Sequence, residues 1–233
     1  MTIDLISSEG EEFLSFVQQS LDCRLVQTTN AASYLSLKEN ALSFHSQNFK
    51  NPLIFDPTKG QLGYRLKRSE QEGLLKKALG NVKPGSVILD ATAGLMKDSL
   101  IFNSLGYRVI AIEQSKILGT ILSVSQKANA ELSKIEIRIG QSENMLSQLH
   151  FDVIYFDPMF EKVGTALRER NLRLIEEILA MENIHQDNQV TFEKLYQSSY
   201  QKLIVKRPIK SKPFSENFNY QIKGRSVRYD VYV

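Results

Sequence analysis

The sequence has little cysteine and histidine. Its 233 residues include one cysteine, Cys23, and three histidines, His45, His150 and His185. A single cysteine excludes an internal disulfide and any zinc cage built from cysteines. Because the histidines are scattered along the chain, we also expect no metal site.

Long apolar runs and a strong charge excess are missing as well. No stretch approaches the ~20 apolar residues that cross a bilayer. Residues 1–10 lack the basic and apolar blocks of a signal peptide, so we expect a cytoplasmic protein without membrane association. The 29 Lys and Arg against 26 Asp and Glu give a formal net charge of +3. The total charge therefore does not by itself indicate a nucleic-acid partner.

The first 60 residues have the alternating pattern of short strands. Two such runs flank residues 38–40, which have the character of a hairpin turn, and Pro52, Pro57 and Gly60 mark the end of the segment. We predict a small N-terminal β-rich unit over residues 1–62 and a larger domain over residues 63–233.

Strand-like and helix-like segments alternate in the larger domain. The predicted strands are 87–90, 108–113, 135–139, 152–156 and 203–206, and the predicted helices are 70–79, 96–105, 117–132, 165–181 and 192–199. Residues 219–233 have the pattern of a hairpin that turns at 223–225. The expected fold class is α/β and Rossmann-like: a mostly parallel sheet with helices on both faces and a C-terminal antiparallel hairpin.

The segments after the predicted strands carry a candidate cofactor site. Asp90-Ala91-Thr92-Ala93-Gly94 follows the first strand, and its small residues allow close approach of a ligand to the backbone. The dinucleotide motif G-x-G-x-x-G is absent, which disfavours NAD. The remaining candidates are acidic or polar and follow in strand order: Lys97 and Asp98, Glu113, Gln141 and Ser142, and Asp157. This order is typical of S-adenosylmethionine (SAM)-dependent methyltransferases.

Asp157-Pro158-Met159-Phe160, at the end of the fourth predicted strand, is similar to the [D/N/S]-P-P-[Y/F/W] motif of amino-methyltransferases. We hypothesise that the Asp157 carboxylate and the Pro158 carbonyl accept the two hydrogens of an exocyclic amine while Phe160 stacks on the base. Such positioning can lower the reaction barrier by several kcal/mol. The alternative is a strand-ending turn with Phe160 in the core.

The motifs LDATAGL, VIAIEQS, YFDPMF, VKRP and KGRSVRYDVY together resemble the RsmJ-type family, which methylates N2 of a guanine in 16S ribosomal RNA. The resemblance covers about residues 53–233. It implies the class I methyltransferase fold and SAM as cofactor. It also implies cofactor contacts at Lys97, Asp98, Glu113, Gln114, Gln141, Ser142 and Asp157.

The chain departs from the family pattern at three places. The family has GLGRD where this chain has Gly94-Leu95-Met96-Lys97-Asp98, so a glycine is replaced by Met96 and an arginine by Lys97. Lysine keeps the charge of arginine but not its bidentate fork. The family's DPMFP ends in Glu161 here, and two serines after the third strand are replaced by Gln141-Ser142.

Basic residues form four groups near the predicted site. They are Arg65, Lys67 and Arg68; Arg168, Arg170 and Arg173; Lys206, Arg207, Lys210 and Lys212; and Lys223, Arg225 and Arg228. Lys and Arg contacts to the backbone supply much of the affinity for RNA. One basic run is usually solvated surface, but four groups favour a ribosomal RNA or small-subunit partner.

Two other functions remain open at this stage. One is an adenine-N6 methyltransferase on RNA or DNA, because the acid-Pro-x-aromatic motif serves that reaction too. The other is a catalytically silent RNA-binding or ribosome-assembly module with the same fold. The sequence does not determine the target nucleotide or the oligomeric state.

Overall fold

The computed structural model describes residues 2–159, 169–185 and 187–233. Its strands are β1 (Ile3–Ser7), β2 (Cys23–Leu25), β3 (Ser33–Lys38), β4 (Ala41–Ser46), β5 (Leu53–Ile54), β6 (Val87–Asp90), β7 (Arg108–Glu113), β8 (Ile135–Ile139), β9 (Val153–Phe156), β10 (Lys202–Pro208), β11 (Tyr220–Lys223) and β12 (Val227–Tyr232). Its α-helices are α1 (Glu11–Ser20), α2 (Gly60–Leu66), α3 (Gly73–Leu79), α4 (Lys97–Ser104), α5 (Lys116–Ala128), α6 (Arg170–Met181) and α7 (Asn188–Tyr196).

The chain divides into two compact units. The first comprises Met1–Pro57, Ser115–Ser133 and Val163–His185, and the second comprises Thr58–Gln114, Lys134–Lys162 and Gln186–Val233. These units interleave along the chain. The predicted division into a unit over residues 1–62 and a domain over residues 63–233 remains a proposal.

The first unit contains a five-stranded sheet in the order β2-β1-β3-β4-β5. β1 runs parallel to both neighbours, and the other pairs are antiparallel. Glu39 and Asn40 have positive φ (52° and 57°) between β3 and β4, as a tight hairpin turn requires, so the predicted turn is confirmed. Helix α5 packs against β4, and Ser125 Oγ donates to the Phe55 carbonyl at 3.2 Å.

The second unit contains a seven-stranded sheet in the order β11-β12-β10-β9-β6-β7-β8. β6 to β10 are parallel, and β12 is antiparallel to both β10 and β11. The predicted α/β Rossmann-like fold with a C-terminal antiparallel hairpin is confirmed. The chain enters this sheet at the central strand β6 and continues outward through β7 to β8. It then returns to the other side of β6 to form β9, so the strand order reverses between β6 and β9. Ligands of open α/β sheets bind at such a reversal, outside the carboxyl ends of the strands.

β9 shows how helices cover both faces of this sheet. Tyr155 contacts Phe102 of α4 in an edge-to-face arrangement at 5.0 Å, whereas Phe156 belongs to the core cluster that contains Phe192 of α7. Successive strand residues point to opposite faces, so α4 and α7 lie on opposite sides of the sheet.

Several predicted boundaries were wrong. The predicted helix 70–79 begins only at Gly73, because a 3₁₀ turn occupies Ser69–Gln71. α7 begins four residues before the predicted Phe192, since the Asp187 carboxylate accepts from the Gln189 and Val190 amides and caps it. Helices α1 and α2 were not predicted. None of the described helices combines the length and apolar character that a membrane crossing requires.

Candidate active site

The loop after β6 is held by buried polar contacts. Asp90 Oδ1 accepts from the Thr92 amide at 3.1 Å, and Oδ2 accepts from Ser99 Oγ at 2.5 Å. The Gly94 amide donates to Glu113 Oε2 at 2.9 Å, which ties the loop to the end of β7. Gly94 has φ +53°, and a Cβ built on it would meet only the Thr92 carbonyl oxygen, at 3.9 Å. The backbone is therefore approachable at this point, as the sequence predicted.

Met96 keeps the backbone conformation of a glycine. It precedes α4 with φ 51° and ψ 24°, in the left-handed region, and its side chain is fully buried. A non-glycine residue costs about 1–2 kcal/mol in this conformation. Burying a methionine side chain contributes about 1.5–3 kcal/mol, which offsets that cost.

Asp98, in the first turn of α4, accepts from three side chains. Arg65 Nη2 donates to Oδ1 at 3.2 Å, while Tyr155 Oη and Lys206 Nζ donate to Oδ2 at 2.6 and 2.8 Å. Arg65 also makes two bonds to the Glu72 carboxylate. Burial opposes ionisation of Asp98, but Lys206, Tyr155 and Arg65 outweigh it, so the pKa of Asp98 lies below its usual value.

Asp157 is fixed at the carboxyl end of β9 by two contacts. Its amide donates to Thr92 Oγ1 at 2.8 Å, and its Oδ2 accepts from Lys206 Nζ at 2.7 Å. Lys206 thus bridges Asp157 and Asp98, and we call these residues with Arg65 the ion cluster. Burial, and then the charge of Asp98, raise the pKa of Asp157 to about 6 despite the attraction of Lys206.

The two cations of the ion cluster remain charged. Burial disfavours the ammonium of Lys206, but Asp157 and Asp98 raise its pKa above the usual value. Burial also disfavours the guanidinium of Arg65, which Glu72 and Asp98 offset. By contrast, Asp90 has neutral partners, and its burial raises its pKa to about 7.

The residues after Asp157 are partly described. Pro158 is buried, and the Met159 carbonyl accepts from Asn188 Nδ2 at 2.9 Å. Asn188 begins α7, so this bond connects the loop after β9 to a helix. Phe160 and Glu161 lie outside the described residues, and the stacking role predicted for Phe160 remains a prediction.

The remaining cofactor candidates lie at the same sheet edge. The Gly140 amide donates to the Glu113 carbonyl at 2.8 Å, so Gln141 and the buried Ser142 follow β8 beside the end of β7. Ala91 and Gly94 are in the loop after β6, Lys97 opens α4, and Gln114 follows β7. The fold thus brings all of these candidates to the carboxyl ends of neighbouring parallel strands. Among the residues that the structure describes, no group of three or more His, Cys, Asp or Glu could hold a metal ion.

The predicted RNA-binding residues differ in their surroundings. Lys67, Arg68, Lys223 and Arg225 are exposed. Arg65 and Lys206 point into the ion cluster, and Arg207 lies over the Phe214 ring at 4.0 Å. Arg228 is excluded from any binding surface: it is 4% exposed, pairs with Asp230 and donates to three backbone carbonyls. Arg168 lies outside the described residues.

Sequence reasoning missed the neutral side chains that hold the acids. Thr92, Ser99, Tyr155 and Asn188 each bond to a candidate site residue or to its loop. Thr92 lies within the motif LDATAGL, and Tyr155 is the first residue of YFDPMF. Their places in these motifs could have indicated that they contact the site. Ser99 and Asn188 had no such signal.

Comparison with known proteins identifies the family of this chain. The protein-family model described as putative SAM-dependent methyltransferase matches residues 18–233 of this chain. The ribosomal RNA small subunit methyltransferase J of Rhodopseudomonas palustris (strain HaA2) is 30% identical over 198 residues, covering 79% of this chain and 89% of that protein. This chain belongs to the methyltransferase J family. The methyltransferase J of Bdellovibrio bacteriovorus is also 30% identical, over 79% of this chain and 75% of its own length.

A solved structure supports the fold independently. The SAM-dependent methyltransferase NGO1261 of Neisseria gonorrhoeae superposes with a TM-score of 0.75 at 22% identity, covering 99% of this chain and 95% of that chain. The methyltransferase J resemblance drawn from LDATAGL, YFDPMF and VKRP is thus confirmed, and SAM is the cofactor of the family. The residues present fit it: an open small-residue loop follows β6, at the sheet edge where the acidic and polar candidates also lie.

Proposed function

We propose that this protein transfers a methyl group from SAM to the exocyclic N2 amine of a guanine in small-subunit ribosomal RNA. The names of the family's relatives support the RNA substrate. The Asp157-Pro158 motif supports an amine as the acceptor. The amide of Asp157 and one of its carboxylate oxygens are fixed by Thr92 and Lys206, beside the loop proposed to bind the cofactor. This placement is the observation that carries the proposal.

The second carboxylate oxygen of Asp157, Oδ1, would orient the amine. Oδ2 is bound to Lys206, while Oδ1 has no hydrogen-bond partner within the described ranges, and the side chain is 29% exposed. Oδ1 accepts one amine hydrogen and the Pro158 carbonyl the other, so that the nitrogen lone pair points at the methyl group. An amine conjugated to a purine is a weak nucleophile, and orientation supplies much of its activation.

The charge of Asp157 also suits the reaction. SAM supplies an electrophilic methyl group on a positively charged sulfur. Transfer would break the bond between the sulfur and the methyl carbon as the nitrogen–carbon bond forms, so that the sulfur leaves as a neutral thioether and positive charge develops on the nitrogen next to the ionised Asp157. The carboxylate stabilises this charge, and the proton leaves to water on its exposed side. Lys206 keeps Asp157 ionised at neutral pH, since the pKa of Asp157 is about 6.

The test uses small ribosomal subunits from cells that lack this protein. They are incubated with the purified protein and SAM carrying a labelled methyl group, and the RNA is digested to nucleosides. We expect labelled N2-methylguanosine at one position. Labelled N6-methyladenosine would support the adenine alternative, and absence of SAM binding in calorimetry would support a silent module.

Asp157→Ala tests the residue assignment in the same assay. We expect turnover at saturating SAM to fall about 10²–10⁴-fold, as for loss of a positioning and charge-stabilising group. Asp157→Asn is the matched variant, because it keeps an acceptor oxygen but loses the charge, and it should retain intermediate activity. Near-native turnover of Asp157→Ala would exclude the role given to this carboxylate.

A further inference from the structure

A cavity lies beside the ion cluster, and no residue of the proposed cofactor loop belongs to its described wall. It has a volume of about 420 Å³, and its walls include Tyr64, Arg65, Arg68, Leu74, Lys206 and Tyr229. Lys206 lines the cavity and also donates to Asp157. The cavity is therefore adjacent to the residue that holds Asp157, while Asp157 itself is not part of its described wall.

Tyr64 is the unusual wall residue. It is 59% exposed, and the Arg68 guanidinium lies 5.2 Å from its ring centroid while donating to its hydroxyl. An exposed aromatic residue alone needs no explanation. Here the ring is held by an arginine at the rim of a cavity, and aromatic faces next to arginine are the platforms on which unpaired bases stack.

Among the described wall residues, Arg68 is the exposed charge. Arg65 and Lys206 are paired with Asp98, Asp157 and the acidic wall residue Glu72. Lys223 and Arg225 are also exposed, on either side of Gly224. A Cβ on Gly224 would lie 2.6 Å from Leu74 Cδ1, so this turn packs against a wall of the cavity. Arg68 thus lines the cavity, and two further exposed cations flank a turn that packs against its wall.

We infer that this cavity binds a nucleotide of the RNA strand that flanks the target nucleotide. Its base stacks on Tyr64, and the adjoining phosphates contact Arg68, Lys223 and Arg225. This inference rests on the proposed function, since it assumes an RNA substrate. The flanking nucleotide is favoured over the target because Asp157, the proposed acceptor of the amine hydrogens, is not part of the described wall of the cavity.

RNA binding, measured without catalysis, tests this site. The probe is a fluorescein-labelled single-stranded RNA dodecamer centred on the mapped target, or one of mixed sequence if no methylation is detected. Its anisotropy is titrated in the presence of S-adenosylhomocysteine. Tyr64→Ala should weaken binding about 5- to 100-fold, while Tyr64→Phe keeps the ring and should bind almost as the wild type does. Equal affinity of wild type and Tyr64→Ala, or equal losses in both variants, would overturn the inference.

The phosphate contacts have a matched control on the opposite sheet edge. Arg68→Gln should weaken binding and reduce the slope of log affinity against log salt by about 0.7. Arg108→Gln removes an exposed arginine at the amino end of β7 and should change neither quantity. Equal effects of Arg68→Gln and Arg108→Gln would show only general electrostatic attraction and would refute this site.

Two further measurements separate this inference from the proposed function. The chain has nine tyrosines and no tryptophan, so its tyrosine emission can be observed directly. RNA should quench the tyrosine emission of the wild type more than that of Tyr64→Phe.

The second measurement is the kinetics of methyl transfer. Tyr64→Ala should raise KM for RNA and leave kcat nearly unchanged. A collapse of kcat would mean that the cavity holds the reacting base, and the inference would then be wrong. An inactive enzyme that still shows the Tyr64-dependent binding would refute the proposed function and leave this site standing.

Discussion

Asp90, the last residue of β6, and Asp98, in the first turn of α4, are two buried carboxylates, 2% and 7% exposed, with opposite electrostatic surroundings. Asp90 accepts only from an amide and a serine hydroxyl, and burial raises its pKa to about 7. Asp98 accepts from a lysine, an arginine and a tyrosine, which lower its pKa. Two carboxyl groups that are buried to a similar extent therefore differ in pKa, because their hydrogen-bond partners differ in charge.

The difference divides the site into two sides. On the Asp90 side, the loop is shaped by neutral hydrogen bonds, and no cation among the described residues bonds to Asp90. On the Asp98 side, the ion cluster holds charge next to the proposed position of the amine. We expect the first side to respond to pH near neutrality and the second to respond strongly to loss of a single cation.

Lys206→Met should have the largest effect, because it removes the cation that Asp98 and Asp157 share. A buried charge that loses its partner typically costs about 3–5 kcal/mol in the free energy of unfolding, and the 22% exposure of Lys206 favours the lower end of this range. The pKa of Asp157 should also rise further. Urea unfolding measures the first effect, and the acid limb of the pH–rate profile, expected near pH 6 in the wild type, should move to higher pH.

Lys210→Met provides the control for that experiment. Lys210 is exposed two residues after the end of β10, so its loss should change stability by no more than about 0.5 kcal/mol. If Lys206→Met were as stable as Lys210→Met and its acid limb did not move, the ion cluster would have no role in holding Asp157.

Asp90→Asn tests the uncharged side. The unfolded carboxylate titrates near 3.8 and the folded one near 7, so between these values the folded protein holds a proton that the unfolded chain has lost. This group therefore stabilises the wild type most at low pH, and the contribution is lost as pH rises through 7. Asparagine has no such loss. The stability of Asp90→Asn relative to the wild type should increase by about 2 kcal/mol between pH 5.5 and pH 8.5.

Ser99→Ala is a useful companion to Asp90→Asn. It removes a hydrogen bond that lowers the pKa of Asp90, so the pH dependence of stability should become steeper above neutrality. A stability difference between Asp90→Asn and the wild type that does not vary with pH would mean that Asp90 is ionised in the folded protein, like Asp98.

The contrast between the two sides also explains what the sequence could predict. The alternation of apolar strands and helices, and the acids at strand ends, follow from local pattern, and they placed Asp90, Glu113 and Asp157 at one edge. The pairing of Asp98 with Lys206 joins residues that are far apart in the chain, and no local pattern encodes it. From the sequence, Lys206 is predicted to contact RNA, with a structural role near the crevice as the alternative, but the acids that it pairs with are not predicted.

Local pattern also failed where a segment gives a weak signal. Helix α1 has Val17 as its one buried residue, so its apolar face is narrow. Helix α2 contains two glycines, which disfavour a helix. Gly63 is nevertheless required, because a Cβ there would lie 2.2 Å from the Thr58 carbonyl oxygen. Tertiary contacts decide these segments, and a single sequence does not reveal them.

Met96 connects the neutral loop to α4, the helix that carries Asp98. The difference in stability between its glycine and alanine variants is the smallest effect that we predict. Met96→Ala keeps the strained left-handed backbone and loses the buried side chain, whereas Met96→Gly loses the same side chain and relieves the strain. Although glycine is the smaller residue, Met96→Gly should unfold at higher urea, being more stable than Met96→Ala by about 1 kcal/mol. Both variants should be less stable than the wild type because each leaves a cavity. Greater stability of the alanine variant would mean that the loop does not keep the positive φ of Met96 once the methionine side chain is removed.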